Sequence, residues 1–588
     1  MTARTDRPMY IIGLSETHNS TAALLRNGEL LGCISEERLT RKKNINGYPV
    51  RSVEWLLREH GVSAKDLECV VMNMKSALSF AMETYGSSFT GLYEFLTAIT
   101  YRSRMLNGLY KTCYALYQNT VNRKWDRQHV SRIASHLHIE PEKIVSYPHH
   151  LTHAASVVYS MGKQNDRLLV LTSDGAGDLF CASVNEYENY NFKTIATTDN
   201  DFSLASLYAA ITVYLGMKMN EHEYKVMGLA PYTNPHQRGV QEAYAVLSDL
   251  FTVEGMHILS KIDAKHYLYY LDKKLKRLRF DCIAYAAQKL IEDKLAEWLK
   301  NAVAATGRGD VCCAGGIFMN VKANKVLSEL ECVKSLTVMP SSADESSAIG
   351  AAYLAYVDRC AARGVKPDIV PLRNLYLGNA LTNDAVAAYI SEHSLEREFN
   401  IVITEEPEQR VAELLASGKI VARVAGRMEF GARALGNRSI LAHPAVKGVV
   451  QDINDRIKCR DFWMPFAGSI LDIDEDRYVK NPKKLQAHYM MLCFDTTQTA
   501  HDTIPAALHP YDKTIRPQIV RQRMNPAYYD LLMRFKELTG LGGILNTSLN
   551  IHGEPIVCSV EDAIHTLRDS GLEYMQIENY IFEKRSSR

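Results

Sequence analysis

Met9-Tyr-Ile-Ile-Gly-Leu14 is a strand-like apolar run, and Ser15-Glu-Thr-His-Asn-Ser20-Thr-Ala-Ala-Leu24 leads from it into a second one. Short apolar runs bounded by polar turn residues read as buried strands. Asn27-Gly28-Glu29 is a turn, and Leu30 to Ile34 a third strand. The order is therefore strand, polar loop, strand, turn, strand, with His18 in the loop. A histidine there is either a polar turn residue or a general base, a role worth on the order of 10²–10⁴-fold when the geometry is right.

Working outward, Pro148-His-His-Leu-Thr-His153-Ala154 places His149 and His153 four residues apart, on one face of a helix. About twenty residues later the apolar run Leu168 to Thr172 ends at Asp174, followed by Gly175-Ala-Gly177. Two histidines on a helix and an aspartate at a strand end suit iron(II) or zinc; the alternative is a core histidine pair beside a turn. Further on, Asp310 to Ala314 reads as a strand running into Gly315-Gly316 and a helix containing Asn324. Free N–H groups at such a helix start can seat a nucleotide phosphate. Ser342-Ala-Asp344-Glu345 fits a capping box for a helix from Ser346 to Val357. Asp344 is spare in that box and available as a fourth metal ligand.

The bulk numbers narrow the class. The chain has 588 residues, enough for two or more domains. Lys and Arg total 68 against 67 Asp and Glu, which argues against nucleic acid as a partner. No apolar run approaches a membrane span, and Met1 to Pro8 carries no signal-peptide core. Twelve scattered cysteines without a CxxC pair suit reduced thiols in a cytoplasmic protein. The run Arg38, Arg41, Lys42, Lys43 reads as a solvated segment or as the source of one phosphate-anchoring lysine. Ala77 to Tyr117 reads as helical and aromatic (Tyr85, Phe89, Tyr93, Phe95, Tyr101, Tyr110, Tyr114, Tyr117); most of these rings read as core, and a minority as the lining of any acceptor pocket. Lys273 to Arg279 reads as a solvated helix face, and Glu223 to Tyr232 as a loop closing on Gly and Pro.

Pro367, Pro371, Gly378 and Asn379 mark a change of pattern, so a boundary is expected near Val365, dividing 1–365 from 366–588. The second part carries Gly426-Arg427-Met-Glu-Phe-Gly431-Ala-Arg433-Ala-Leu-Gly436-Asn-Arg438. Three arginines among glycines suit a dianion bound bidentately; the alternative is a salt-bridged loop. Lys458-Cys-Arg460-Asp461, Arg516 and the strand-turn Gly542 to Asn550 with Asn546 follow.

Taken in order, His18-Asn-Ser-Thr-Ala-Ala, Glu36-Glu-Arg…Lys43, His149…His153, Asp174-Gly-Ala-Gly-Asp, Met227-Gly-Leu-Ala-Pro-Tyr and Gly315-Gly316…Asn320 resemble the NodU/CmcH O-carbamoyltransferases over nearly the whole chain. The resemblance implies an α/β protein. Its first domain would be actin-like (of the sugar kinase and Hsp70 type), similar to the tRNA threonylcarbamoyl-adenosine transferase, and its second YrdC-like. It implies a metal, iron(II) or else zinc or manganese, on His149, His153, Asp174 and Asp344. Gly316 and Asn320 would contact the adenylate, with Asp174 shared between metal and nucleotide, and His18 would be the base. Arg433, Arg516 and Asn546 would hold carbamoyl phosphate, with Lys43 reaching in. Three departures stand out. Asn19 replaces an Asp, so Glu16 is the expected partner orienting His18; Ala432 replaces a Pro; Met464 replaces an Arg, so that phosphate or ATP contact is either missing or supplied by Arg460. Glu16 and Glu223 are the candidate acceptor-binding carboxylates.

The implied chemistry is ATP- and Mg-dependent conversion of carbamoyl phosphate to carbamoyl adenylate, then transfer to a hydroxyl of a small-molecule natural product, by a protein working without nucleic acid or membrane, as a homodimer by default. Two rivals stand beside it: an RNA-modifying threonylcarbamoyl transferase and a non-catalytic nucleotide-binding partner.

Overall fold

The computed structural model describes residues 7–75, 99–101 and 103–585, with backbone alone for 104 and 114–126. In its first sheet β1 (Tyr10–Ser15), β2 (Thr21–Arg26), β3 (Glu29–Ser35), β4 (Leu67–Met72) and β5 (Ile144–Ser146) lie in the order β3-β2-β1-β4-β5. β1 to β3 form an antiparallel meander, while β4 pairs parallel to β1 and β5 parallel to β4. A second sheet repeats the plan. It uses β6 (Leu168–Gly177), β7 (Phe180–Glu188) and β8 (Asn191–Asp199). Beyond a separate hairpin of β9 (Phe251–Glu254) and β10 (His257–Ser260) it adds β11 (Asp310–Ala314) and β12 (Ser335–Val338). Its order is β12-β11-β6-β7-β8, with the same alternation of antiparallel and parallel pairs. Two copies of one five-stranded unit in tandem are the actin-like arrangement that the resemblance implied.

The central strands are apolar on both sides because both faces are covered. Leu168 to Leu171 are at most 1% exposed. Six helices matter for the site: α1 (Arg104–Leu137), α2 (His149–Ser160), α3 (Glu223–Leu229), α4 (Phe280–Thr306), α5 (Val321–Glu329) and α6 (Ser347–Ala362). α2 follows β5 and α6 follows β12, equivalent places in the two units. These two helices pack on each other, α6 also on β1 and α2 also on β11. Ala348, Gly350, Ala351, Ala352 and Ala355 keep α6 slim enough for that close crossing.

The remaining strands form a mixed eight-stranded sheet. They are β13 (Phe399–Ile403), β14 (Val421–Val424), β15 (Arg438–Ala442), β16 (Ala467–Leu471), β17 (Pro517–Val520), β18 (Gly543–Ser548), β19 (Tyr574–Ile577) and β20 (Tyr580–Lys584). The order is β13-β20-β19-β14-β15-β18-β16-β17. Polar ties lock it to the first part: Arg38 donates to the Gly431 carbonyl, Arg41 to those of Pro555 and Ile556, and Lys225 pairs with Asp461 at 3.0 Å. The basic run at 38–43 is thus partly a staple between halves. Among the described residues no helix is long and apolar enough to cross a membrane. None of the twelve cysteines is paired.

Two local expectations fail. The capping box at Ser342 and Glu345 does not form; α6 starts at Ser347, and Asp344–Ser346 make a tight turn that buries both carboxylates. Glu345 is satisfied instead by a hydrogen bond from the Ser341 hydroxyl. Glu223 to Tyr232 is helix α3 and a tight turn, not a loop, because Val226, Met227, Leu229 and Ala230 are all needed in the interior. The cations of the run Lys273 to Arg279 are exposed as expected, although the helix that carries the run ends at Lys274, and Lys273 also lies over the rings of Tyr269 and Tyr101.

Candidate active site

The duplicated topology explains why residues from 18 to 344 converge. The turn after the first strand of each unit supplies one wall: His18 between β1 and β2, Asp174 at the end of β6. The segment leading into the helix after the last strand supplies the other: His149 at the start of α2, Asp344 ahead of α6. The Nε2 atoms of His149 and His153 are 3.1 Å apart. Asp344 Oδ1 lies 3.4 Å from the first and 3.2 Å from the second, and Asp174 Oδ2 lies 3.4 Å from His153 Nε2. All four side chains are buried, with ligand atoms within 4.8 Å of one another. Bonds of about 2.0–2.1 Å around one ion put tetrahedral ligands about 3.4 Å apart, so the set fits a divalent cation of the zinc or iron(II) class. Burial alone would lower His153, but hydrogen bonds and charge from Asp174 and Asp344 lift it to about 9. Asp344 is held well below the carboxylate range: burial opposes this, but His149 and His18 outweigh it.

Backbone geometry sets the carboxylates. The Gly316 N–H donates to Asp174 Oδ2 at 2.7 Å, so this N–H of the double glycine orients a side chain instead of waiting for a nucleotide. Gly315, at φ +107°, is required: a Cβ would stand 2.2 Å from the Ser173 carbonyl oxygen. Asn320 caps α5 through the Ala323 N–H and pairs with Gln288, so its side chain too is engaged within the protein. Asp178 accepts from the His149 N–H at 2.8 Å and fixes the start of α2.

His18 Nδ1 lies 3.5 Å from Asp344 Oδ2, with the ring 30% exposed. Burial pulls its pKa down, but Asp344, then Asp174, Glu345 and Glu223, lift it above the ordinary value. Asp344 is therefore the partner of His18. The expectation that Glu16 orients it is wrong, because Glu16 Oε2 is engaged 2.6 Å from His129 Nε2. Asn19 occupies a left-handed turn at φ 63°, which Asn tolerates well. Burial lifts the Glu223 carboxyl against the pull of His18, and its Oε1 accepts from the Asn220 N–H. Of the aromatic segment expected at an acceptor pocket, Tyr85, Phe89, Tyr93, Phe95 and the side chains of Tyr114 and Tyr117 lie outside the described residues. Tyr101 packs edge-on to Tyr269, and Tyr110 sits beneath Lys265.

A second cluster lies on the eight-stranded domain. Of the three arginines in the glycine loop, Arg427 donates to the carbonyls of Gly378, Leu377 and Leu31, and Arg438 to those of Ala425, Gly426, Asn437 and Asn379. Both are structural. Arg433, by contrast, has a buried Nε without a partner, as does Arg516. Burial, then Arg460, presses Arg433 down to about 10 although Tyr224 and Glu345 attract it. Arg516 is lowered by burial, then by Arg433 and Arg460. Lys458 is lowered by burial, then by Arg460 and Lys43, while its ammonium donates to the Ser548 and Asn550 carbonyls and the Asn550 Oδ1. Among the described residues none of Arg433, Arg460, Arg516 and Lys458 makes an ion pair, and each lies close enough to another to lower or be lowered by its charge. Asn546 lies beneath, its Nδ2 donating to the Ala434 carbonyl and the Ser469 hydroxyl. Lys43 is 3.9 Å from Glu221. Met464 is buried against Gly228.

The two clusters are joined by one short bridge. Ser341 donates to Glu345, next to Asp344, and accepts from the Ala432 N–H, next to Arg433. Gly431, at φ +95°, allows this, since a Cβ there would stand 2.6 Å from the Ser341 Oγ. Glu345 feels His18 on one side and attracts Arg433 on the other. Lys458, Ser341 and Glu345 were missed in the sequence. Lys458 stands two residues before Arg460 in a segment already singled out, and that neighbourhood was its signal.

A family model described as Carbamoyltransferase N-terminus matches residues 10–353, and one described as Carbamoyltransferase C-terminus matches residues 412–584. The chain belongs to the carbamoyltransferase family. Nodulation protein NolNO of Sinorhizobium fredii is 29% identical over 97% of this carbamoyltransferase and 79% of its own length. Nodulation protein U of the same organism is 24% identical over 98% and 100%. An uncharacterized protein of Methanocaldococcus jannaschii is 32% identical over 75% and 74%. Solved structures with partial likeness include component A of the Acidaminococcus fermentans (R)-2-hydroxyglutaryl-CoA dehydratase, at 14% identity and TM-score 0.33 over 60% of this chain and 99% of that one. HypF of T. kodakarensis stands at 14% and 0.32 over 59% and 48%.

Proposed function

We propose that this carbamoyltransferase uses ATP and carbamoyl phosphate to carbamoylate a hydroxyl group of a small molecule. The carrying observation is the group Arg433, Arg460, Arg516 and Lys458, which pairs with no carboxylate among the described residues and is linked through Ser341 to Glu345, whose charge reaches His18. Cations aimed at transferring phosphoryl groups stabilise developing charge without reorganising, which is commonly the largest catalytic contribution. Carbamoyl phosphate and water give carbamate and phosphate there. A carbamate oxygen then attacks the α-phosphorus of ATP, pyrophosphate leaves, and carbamoyl adenylate forms. Carbamate is short-lived in water, so a short internal route to His18 favours its use over its loss.

At the second centre the acceptor oxygen attacks the carbamoyl carbon, AMP leaves, and His18 takes the hydroxyl proton. His149, His153, Asp174 and Asp344 would hold a divalent metal, which supplies charge neutralisation and orientation for an adenylate phosphate. The donor set fits iron(II), zinc or manganese.

The test needs no acceptor. Purified protein is incubated with ATP, carbamoyl phosphate and Mg²⁺, with and without iron(II), and pyrophosphate and AMP are assayed. Pyrophosphate released only when carbamoyl phosphate is present is the expected result. An active enzyme that releases ADP sinks the adenylate route.

A further inference from the structure

Helix α1 carries a row of polar side chains that the proposed chemistry leaves unused. At about 100° per residue Asn107, Lys111, His129 and His136 fall in one stripe roughly 40° wide. Its two ends grip different halves of the first domain. Near the N-terminal end Lys111 Nζ pairs with Asp201 at 2.5 Å and Asp263 at 3.0 Å, and Asn107 donates to Asp263 at 2.6 Å. Asp201 belongs to the turn after β8 that also carries Asn200 and leads into Ser203. Asn200 Oδ1 accepts from the Gly177 N–H at 3.3 Å, and Ser203 donates to the Asp174 carbonyl at 3.0 Å. This end of the helix therefore rests on the turn that holds the Asp174–Gly177 strand end.

Roughly 27 Å along the helix, His129 Nε2 meets Glu16 Oε2, with both side chains less than a tenth exposed. Two turns further the Tyr48 hydroxyl and His136 Nδ1 are 2.9 Å apart. Gly47, beside Tyr48, donates its N–H to the Glu16 carbonyl at 2.9 Å. Glu16 stands two residues from His18, whose ring meets Asp344 at 3.5 Å, so the place of Glu16 fixes the backbone from which that ring reaches Asp344. A buried carboxylate is costly to strand without its partner. The loop thus cannot take another position without giving up the Glu16–His129 pair.

We propose that α1 is a spacer fixing the His18 loop against the Asp174 strand end, and that His129 is the positioning residue through which it acts, by way of Glu16. The proposal rests on His18 working at the acceptor. It places the specification of that distance on a helix none of whose described side chains belongs to the reacting cluster.

Full-length His129→Leu removes the contact to Glu16, and His129→Gln keeps a side chain able to donate to it. Hydrogen exchange of peptides covering residues 14–20 is measured by mass spectrometry, together with bound metal and pyrophosphate release from ATP and carbamoyl phosphate. Expected for His129→Leu is exchange faster by on the order of tenfold, confined to those peptides and to Tyr48 and its neighbours. Metal content and pyrophosphate release should stay at the wild-type level, and His129→Gln should restore slow exchange. Unchanged exchange in His129→Leu overturns the proposal. So does faster exchange that spreads to the eight-stranded domain or a parallel fall in pyrophosphate release, since either marks a general loss of structure. Absence of pyrophosphate from the wild-type protein would instead sink the adenylate route, while the exchange comparison still decides the spacer.

Discussion

Asp344 meets three imidazoles at once, with His153, His149 and His18 at 3.2, 3.4 and 3.5 Å. A carboxylate so placed does two jobs: it completes the donor set and holds the ring of His18. Asp344→Asn keeps the shape and removes the charge, and is expected to cut bound divalent metal, measured by plasma mass spectrometry, from about one per chain to near zero. Full retention of metal would remove Asp344 from the donor set. The arginines offer a sharper contrast. Arg433→Ala deletes a cation that makes no ion pair among the described residues, so carbamoyl phosphate affinity measured by calorimetry should fall by about 1.5–3 kcal/mol, on the order of tenfold to a hundredfold, with little change in melting temperature. Arg427→Ala leaves three carbonyls short of a donor and should lower the melting temperature while sparing affinity. The two residues are alike in the sequence, each an arginine near a glycine; only the placement of the Gly378, Leu377 and Leu31 carbonyls separates them.

Elements were legible where the signal is local. The opening strands and the strand carrying Asp174 follow from short apolar runs bounded by turn residues, and the helix placing His149 and His153 on one face follows from the 3.6-residue period. The capping box at Ser342 was an equally good local match and lost, because the chain there must turn Asp344 and Glu345 inward. Glu16 was assigned the wrong partner for a related reason: His129 is 113 residues away, and only the duplicated topology brings α1 beside the β1–β2 loop. Gly315 shows what such delivery costs locally. Gly315→Ala would force a Cβ into the Ser173 carbonyl at a left-handed φ, and is expected to destabilise the chain by about 2–4 kcal/mol in urea unfolding. A loss under about 0.5 kcal/mol, the range of neutral surface changes, would mean that the turn after β11 relaxes freely and does not hold Asp174 in place.

At the scale of the whole molecule, the bridge between the two clusters works only if the two domains keep their register, and a polar seam provides it. Asn324 Nδ2 donates to the Met491 carbonyl, Lys322 pairs with Asp512, and His509 Nε2 donates to the Gly228 carbonyl at 3.0 Å. That last bond fixes the tautomer, since His509 Nδ1 accepts from the N–H groups of Tyr511 and Asp512. Burial lowers the His509 pKa, and Lys322 and Lys513 lower it further, against the pull of Asp512. The unfolded chain therefore takes up this proton more readily than the folded one, so stability is lost as pH falls below about 6.5 toward the folded value. Asp512 responds in a separate window. Burial would raise it, but Lys322 and His509 hold it below the ordinary carboxylate value, so its contribution is present above about pH 4 and lost only in stronger acid. Melting temperature followed from pH 8 to pH 5 should decline less steeply in His509→Gln than in the wild type, because glutamine does not titrate. The two curves should then run parallel above pH 7. If instead they run parallel over the whole range, His509 is not what makes the seam sensitive to mild acid, and the register of the two clusters depends on the Lys322–Asp512 and Asn324 contacts.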